Sequence, residues 1–157
     1  MPAKSVRIGL ISDTHGLLRP EAIVALRGSQ LILHAGDIGS PEVLDGLNEI
    51  APTLAVRGNN DTQPWARRVP DRRVIDAGGA TLYLLHQLAE LDIDPSAAGH
   101  RAVIFGHSHK PLVETRGHVV FVNPGSAGPR RFRLPVGVAR MNVRRDKVEV
   151  ELVSLNV

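Results

Sequence analysis

Five short polar motifs, each at the end of an apolar run, constrain this chain more than any other feature. In order they are Asp13-Thr14-His15, Gly36-Asp37, Gly58-Asn59-Asn60-Asp61, His86, and Gly106-His107-Ser108-His109. The runs before them are short and rich in Val, Ile and Leu, as in strands buried on both faces. If the strand ends meet, a set of oxygen and imidazole donors meets with them. Loops after the carboxyl ends of parallel strands are where α/β sheets build their sites, so an α/β fold is expected.

The spacing predicts strands over 6–12, 31–35 and 53–57. Pro20 opens a helix over 21–27 with Gly28 as its stop, and Ser40, as N-cap, opens another that runs to about residue 50. This order predicts right-handed βαβ units in a mostly parallel sheet. In the second half, 73–77 and 81–86 flank Gly78-Gly79, a hairpin signal. After a polar segment over 88–99, strands are expected over 102–105, 112–115, 118–122, 136–143 and 148–155. The expected whole is a four-layer αββα sandwich, two mixed sheets with helices outside, in one domain over 1–157.

Hydrophobic residues make up 43% of the chain but aromatics only 3%, so the core must be built from Val, Leu, Ile and Ala. There is no cysteine, which excludes disulfides, thiolate metal sites and cysteine nucleophiles. The net charge of +3 is carried mainly by dispersed arginine pairs rather than a basic stripe, so nucleic acid is not the favoured partner. Met1 to Ser5 are polar, and the apolar run over 6–11 is too short for a signal segment or a membrane span. A soluble, cytoplasmic protein is the expectation; a homo-oligomer is left open.

Asp13 and His15 are two residues apart, and in an extended segment they point the same way. His107 and His109 share that relation. The two oxygens of Asp37 suit a bridge between two metals, Asn59 offers a neutral amide oxygen, and His86 adds an imidazole. The candidate metal ligands are therefore Asp13, His15, Asp37, Asn59, His86, His107 and His109. Such nitrogen-rich ligation suits Mn, Fe, Co, Ni or Zn better than Mg or Ca alone. Two divalent ions would leave excess positive charge over the two aspartates, which favours a phosphate substrate.

The motif series resembles the calcineurin-like metallophosphoesterase superfamily, with its D-x-H, G-D, G-N-[HCN]-[DE], H and G-H-x-H pattern, from Ile8 to about Arg130. The small size, Asn123-Pro124-Gly125-Ser126 and Pro129-Arg130 resemble its compact phosphodiesterases of the YfcE type. The resemblance implies two metal ions, manganese above the others. Asp13, His15 and His109 would hold one, Asn59, His86 and His107 the other, with Asp37 and a water or hydroxide between them for in-line hydrolysis. It also implies catalytic parts for Asp37, Asn59 and Asn60. Many members have His where this chain has Asn60, and an amide is no general acid at neutral pH. A small phosphodiester or nucleotide-like substrate is therefore expected. The alternatives are a phosphomonoesterase on the same site, or a non-catalytic protein-binding scaffold like the retromer subunit that resembles this fold.

Other residues carry weaker signals. Asp61 reads either as a support for Asn59 or a metal-bound water, or as a turn cap. His34 reads as a strand histidine beneath the site, and His100 and His118 as surface loop residues. Arg130 or Arg131 is placed to contact a phosphate, with a solvent-facing role as the alternative. The 123–126 segment reads as a turn that positions its loop. Trp65 reads as a loop anchor or as a cover over the cleft.

Overall fold

The computed structural model describes residues 5–157, so the polar start, Met1 to Lys4, lies outside the described residues. The first half is built as the apolar spacing requires. Strands β1 (Ser5–Ile11), β2 (Leu31–His34) and β3 (Thr53–Ala55) run parallel, joined by helices α1 (Pro20–Leu26) and α2 (Pro41–Asn48). Each helix starts with a proline, whose fixed φ and missing N–H suit the first turn. Ser40 takes the N-cap position of α2, but its hydroxyl makes no capping bond. The helices bury Ala22, Ala25 and Leu26, and Val43 and Leu47, each a set at three- and four-residue spacing on one face.

Strand β4 (Arg72–Ala77) and β5 (Ala80–Leu85) form the hairpin around Gly78-Gly79. Then follow β6 (His100–Ile104), β7 (Leu112–Arg116), β8 (Val119–Asn123), β9 (Gly137–Arg144) and β10 (Lys147–Ser154). The first sheet has the order β10-β9-β1-β2-β3 and the second β4-β5-β6-β8-β7. Both mix parallel and antiparallel pairs.

Three apolar clusters bind the layers. Ile8, Leu10 and Leu33 of the first sheet meet Leu82, Leu84 and Ile104 of the second, all at most 1% exposed. Ile11 and Ile32 pack against Leu26, Val43 and Leu47 of the helices. On the outer face of the second sheet, Tyr83, Val103 and Phe121 are covered by Leu88 and Leu91. The four layers are therefore present, but the outer cover of the second sheet is a single 3-10 turn, Leu88–Glu90, rather than a long helix. Asp92, Asp94, Pro95 and Gly99 interrupt the 88–99 segment with residues that favour turns over helix. Among the described residues, no helix is long and apolar enough to cross a membrane.

Candidate metal centre

The site is a consequence of strand direction. Asp13, Asp37 and Asn59 follow the carboxyl ends of the neighbouring parallel strands β1, β2 and β3. His86 follows β5, and His107 and His109 follow its parallel neighbour β6. Backbone bonds tie these ends together within each sheet: Asp13 N–H to Gly36 O and His15 N–H to Asp37 O, both 2.9 Å, and Gly106 N–H to His86 O, 2.9 Å. Other bonds cross between the sheets. His107 N–H donates to Asp13 Oδ2 at 3.1 Å, and His86 Nδ1 donates to Ala35 O at 2.7 Å. The fold thus brings together all seven sequence candidates.

Their donor atoms face one another. His109 Nε2 lies 3.3 Å from Asp13 Oδ1, and His15 Nε2 lies 3.9 Å from it. His86 Nε2 is 3.3 Å from Asp37 Oδ2 and 3.9 Å from Asp13 Oδ1. Asp13, His15 and His109 form one cluster and Asp13, Asp37 and His86 a second, so Asp13 reaches both. Asn59 Oδ1 and His107 Nδ1, 3.2 Å apart, sit on the exposed rim, with the His107 ring 5.2 Å from that of His86. Asp13, Asp37, His86 and His109 are buried.

Buried polar groups normally have partners. Here Asp13 Oδ1, His15 Nε2, His86 Nε2 and His109 Nδ1 have none among the described residues. For His86 the tautomer follows from the Ala35 bond: Nδ1 carries hydrogen, so a neutral ring aims its Nε2 lone pair at carboxylates. Lone pairs facing carboxylate oxygens repel unless a cation lies between them. Without a metal that cation is a proton. Burial opposes charging His86, but the Asp37 and Asp13 carboxylates outweigh it and raise its pKa. Burial alone would raise the Asp37 pKa; His86 and the two N–H groups of Asn60 instead hold it well below the usual range. This donor chemistry fits divalent transition metals.

The backbone corrects one sequence expectation. Asp13 and His15 are not on an extended segment, nor are His107 and His109. All four have positive φ, at 55°, 47°, 70° and 64°, as does Asp37 at 55°. Of the seven non-glycine residues with positive φ among the described residues, five are candidate ligands. Side chains there converge because the chain reverses at each one, not because strand residues alternate. The left-handed region costs an L-residue roughly 1–2 kcal/mol, and such strain concentrates at functional sites.

Supporting residues hold this geometry. Asp61 touches no donor; it accepts the N–H of Ile38 at 3.1 Å, Gly39 at 3.1 Å and Gly58 at 2.9 Å, and so staples the loops that carry Asp37 and Asn59. Asn60 donates its backbone N–H to Asp37 Oδ1 at 2.9 Å and its amide to Oδ2 at 3.0 Å. Ser12 Oγ donates to Asp13 Oδ2 at 2.5 Å. Asn123 donates to Gly106 O at 3.1 Å and Ser108 Oγ at 3.0 Å, so the 123–126 turn positions the His107–His109 loop. Glycine is needed at 58 and 106 for close approach: a Cβ would run into Asp37 at the first and into Ser12 Oγ and Asp13 Oδ2 at the second.

His34 is fully buried beneath the site, as expected. Its Nδ1 accepts the Gly36 N–H, and its Nε2 meets the Thr14 hydroxyl, which itself donates to Ile38 O. Burial, aided by the nearby His86 and His15, lowers its pKa to about 3 despite Asp37. His118 is exposed, but His100 is not a surface loop residue. It begins β6, is 8% exposed, meets Thr81 Oγ1 at 2.9 Å and lies 5.4 Å from the Tyr83 ring. Trp65 is a loop anchor, half-buried against the helix-side core, with its indole N–H on Gln63. Arg130 reaches Val157 O at 3.1 Å, and the charge of Arg131 acts with burial to lower the His109 pKa.

Sequence reading did not single out Ser12, Thr14 or Phe132. Phe132 carried a signal, an aromatic among arginines in a proline-bounded loop. A cavity of about 450 Å³ lies beside the start of β1 and away from the donors. A smaller one of about 250 Å³, lined by Arg57, Asn59, Arg72 and His86, opens beside them.

The family model of the calcineurin-like phosphoesterase superfamily domain matches residues 6–146. A "Probable metallophosphoesterase" of Methanothermobacter thermautotrophicus is 33% identical over 161 residues, covering 93% of this chain and 91% of that protein. Phosphodiesterase YfcE of Escherichia coli is 28% identical over 152 residues, 77% of this chain and 79% of that protein. Among solved structures, Vps29 of Chaetomium thermophilum superposes with a TM-score of 0.75 at 22% identity, covering 96% of this chain and 98% of that one.

Proposed function

The chain belongs to the calcineurin-like phosphoesterase superfamily, and on that premise we propose that it is a phosphodiesterase working with two divalent ions, manganese favoured. The observation that carries this reading is the convergence of Asp13 Oδ1, His15 Nε2 and His86 Nε2, all buried and without a hydrogen-bond partner. Asp13, His15 and His109 would hold one ion, Asn59, His86 and His107 the other, with Asp37 between them. When bound, the ions would supply an acidified water and positive charge for the phosphoryl oxygens.

The chain's own residues account for the rest. Ala35 O fixes the His86 tautomer, and Asn60 clamps both oxygens of Asp37, so these donors are oriented before an ion arrives. With its amide on Asp37, Asn60 is a positioning residue, and it has no proton to give a leaving group at neutral pH. Diesters with good leaving groups are therefore the favoured substrates over monoesters. The likeness to YfcE, named a phosphodiesterase, supports the same choice.

The scaffold alternative draws on the likeness to Vps29. A protein-binding surface needs neither unpartnered buried lone pairs nor five donor residues held at positive φ, so the enzyme reading fits the site better.

Purified protein supplied with Mn(II) should bind metal and hydrolyse bis(p-nitrophenyl) phosphate faster than p-nitrophenyl phosphate. Asp37→Asn should lower the rate by more than about a hundredfold with the circular dichroism spectrum preserved. An absence of both metal uptake and turnover on any phosphoester would overturn the reading.

A further inference from the structure

Residues 127–135 form a loop fastened at its base to the metal centre. Ser126 and Val136 pair across its neck, and Gly137 N–H bonds Ser126 O at 2.9 Å. Ser126 Oγ donates to Asp13 O at 3.0 Å, Ala127 N–H donates to Ser12 O at 3.0 Å, and Arg19 reaches Gly128 O at 3.2 Å. At the far end, Leu134 N–H bonds Arg131 O at 3.1 Å and closes a turn with Phe132 and Arg133 at its corners.

Phe132 is anomalous on two counts. It is 91% exposed, whereas the next most exposed large hydrophobic residue, Val74, is 58% exposed. It also has a φ of 52°, a conformation glycine or asparagine would adopt with less strain. The chain has three phenylalanines, and the other two, Phe105 and Phe121, are each 5% exposed in the core. Among the described residues, the ring of Phe132 joins none of the apolar clusters. Its neighbours are Arg130, Arg131 and Arg133, so it does not extend an apolar patch of the kind that docks proteins. An exposed π-face in an arginine-rich stretch of chain suits a flat ring attached to a phosphate.

We propose that Phe132, on the loop whose base is fastened to Ser12 and Asp13, is a specificity residue that stacks on the base of a nucleotidyl phosphodiester. The inference rests on the phosphodiesterase reading and narrows its substrate class. A stacked base contributes enough affinity that losing the ring weakens binding about tenfold or more.

Two measurements test it. Isothermal titration of the Mn(II)-supplied protein with adenosine 5′-monophosphate and ribose 5-phosphate isolates the base, since both carry the same phosphate. The wild type is expected to bind the nucleotide about tenfold more tightly. Phe132→Ala should erase that difference and Phe132→Tyr retain it. Equal binding of the two ligands by the wild type, or a preference that survives in Phe132→Ala, overturns the proposal. So does a ring that serves self-association instead, seen as a dimer in sedimentation together with equal binding.

Kinetically, thymidine 5′-(p-nitrophenyl phosphate) and methyl p-nitrophenyl phosphate share a leaving group. Their kcat/KM ratio should fall about tenfold in Phe132→Ala, through KM rather than kcat. If the wild type cleaves neither ester with any metal, the phosphodiesterase reading falls, and the binding pair alone decides the role of Phe132.

Discussion

Replacing Asp61 by asparagine probes whether the donors depend on a residue that touches none of them. The carboxylate makes three bonds to backbone N–H groups: Oδ2 accepts Ile38 and Gly58, and Oδ1 accepts Gly39. The residue is 4% exposed, so water cannot replace them. An asparagine oxygen in the Oδ2 position keeps two of these bonds, now to a neutral acceptor, and turns its NH₂ against the Gly39 N–H. One buried donor left unsatisfied costs about 1–3 kcal/mol, and each bond that loses its charge weakens by up to about 1 kcal/mol. The sum is roughly 2–4 kcal/mol, or on the order of 5–15 °C in Tm for a domain of this size. Asp61→Ala leaves all three donors unsatisfied and should be worse.

The assay is thermal and urea unfolding in EDTA, followed by Mn(II) titration of the folded variant. Because the released N–H groups lie beside Asp37 and Asn59, metal affinity should fall about 10- to 100-fold as well. An Asp61→Asn protein within about 0.5 kcal/mol of wild type and equal to it in metal affinity would refute the reasoning. So would alanine and asparagine variants of equal stability.

Two further expectations concern stability. His34 stays neutral in the fold down to about pH 3, while in the unfolded chain it protonates near 6.5. Protonation therefore favours unfolding: its contribution is intact above about pH 6.5 and is lost as pH falls toward 3, at up to about 1.4 kcal/mol per pH unit. Urea midpoints across this range in EDTA check it, against a His34→Gln protein that should lack that slope. At position 132, glycine relieves the positive φ and alanine does not, so Phe132→Gly should exceed Phe132→Ala in urea stability by roughly 1 kcal/mol. Equal midpoints would mean that the turn is unstrained.

Much of this was legible in the sequence, for identifiable reasons. Apolar runs such as 31–35 and 102–105 lie in parallel strands buried on both faces, so periodicity marks them without tertiary knowledge. The donors were legible because each follows such a run. What could not be read was the conformation at the donors, because positive φ at Asp13 or His107 is imposed by bonds to Gly36 O and Asp13 Oδ2, remote in the chain. His100 was misplaced for a similar reason. Its neighbour Gly99 suggests a loop, whereas pairing with Thr81 draws it into β6. Asp61 read either as a support for Asn59 or a metal-bound water or as a turn cap, and sequence could not show that two of its three bonds reach residues 38 and 39.

The donor set is divided between the two sheets, three residues following strands of one and three histidines following strands of the other, with His15 beside Asp13. An ion gripped by Asp13 and His109 would cross-link positions far apart in the chain, much as a disulfide does. It would hold the sandwich shut at that end and leave the end where β1 begins to apolar packing and to contacts such as Arg101 on Asp146 O, 3.0 Å. Stability of the whole would then follow free metal concentration by mass action. Stripping the metal would loosen one rim of the fold first, not the fold evenly.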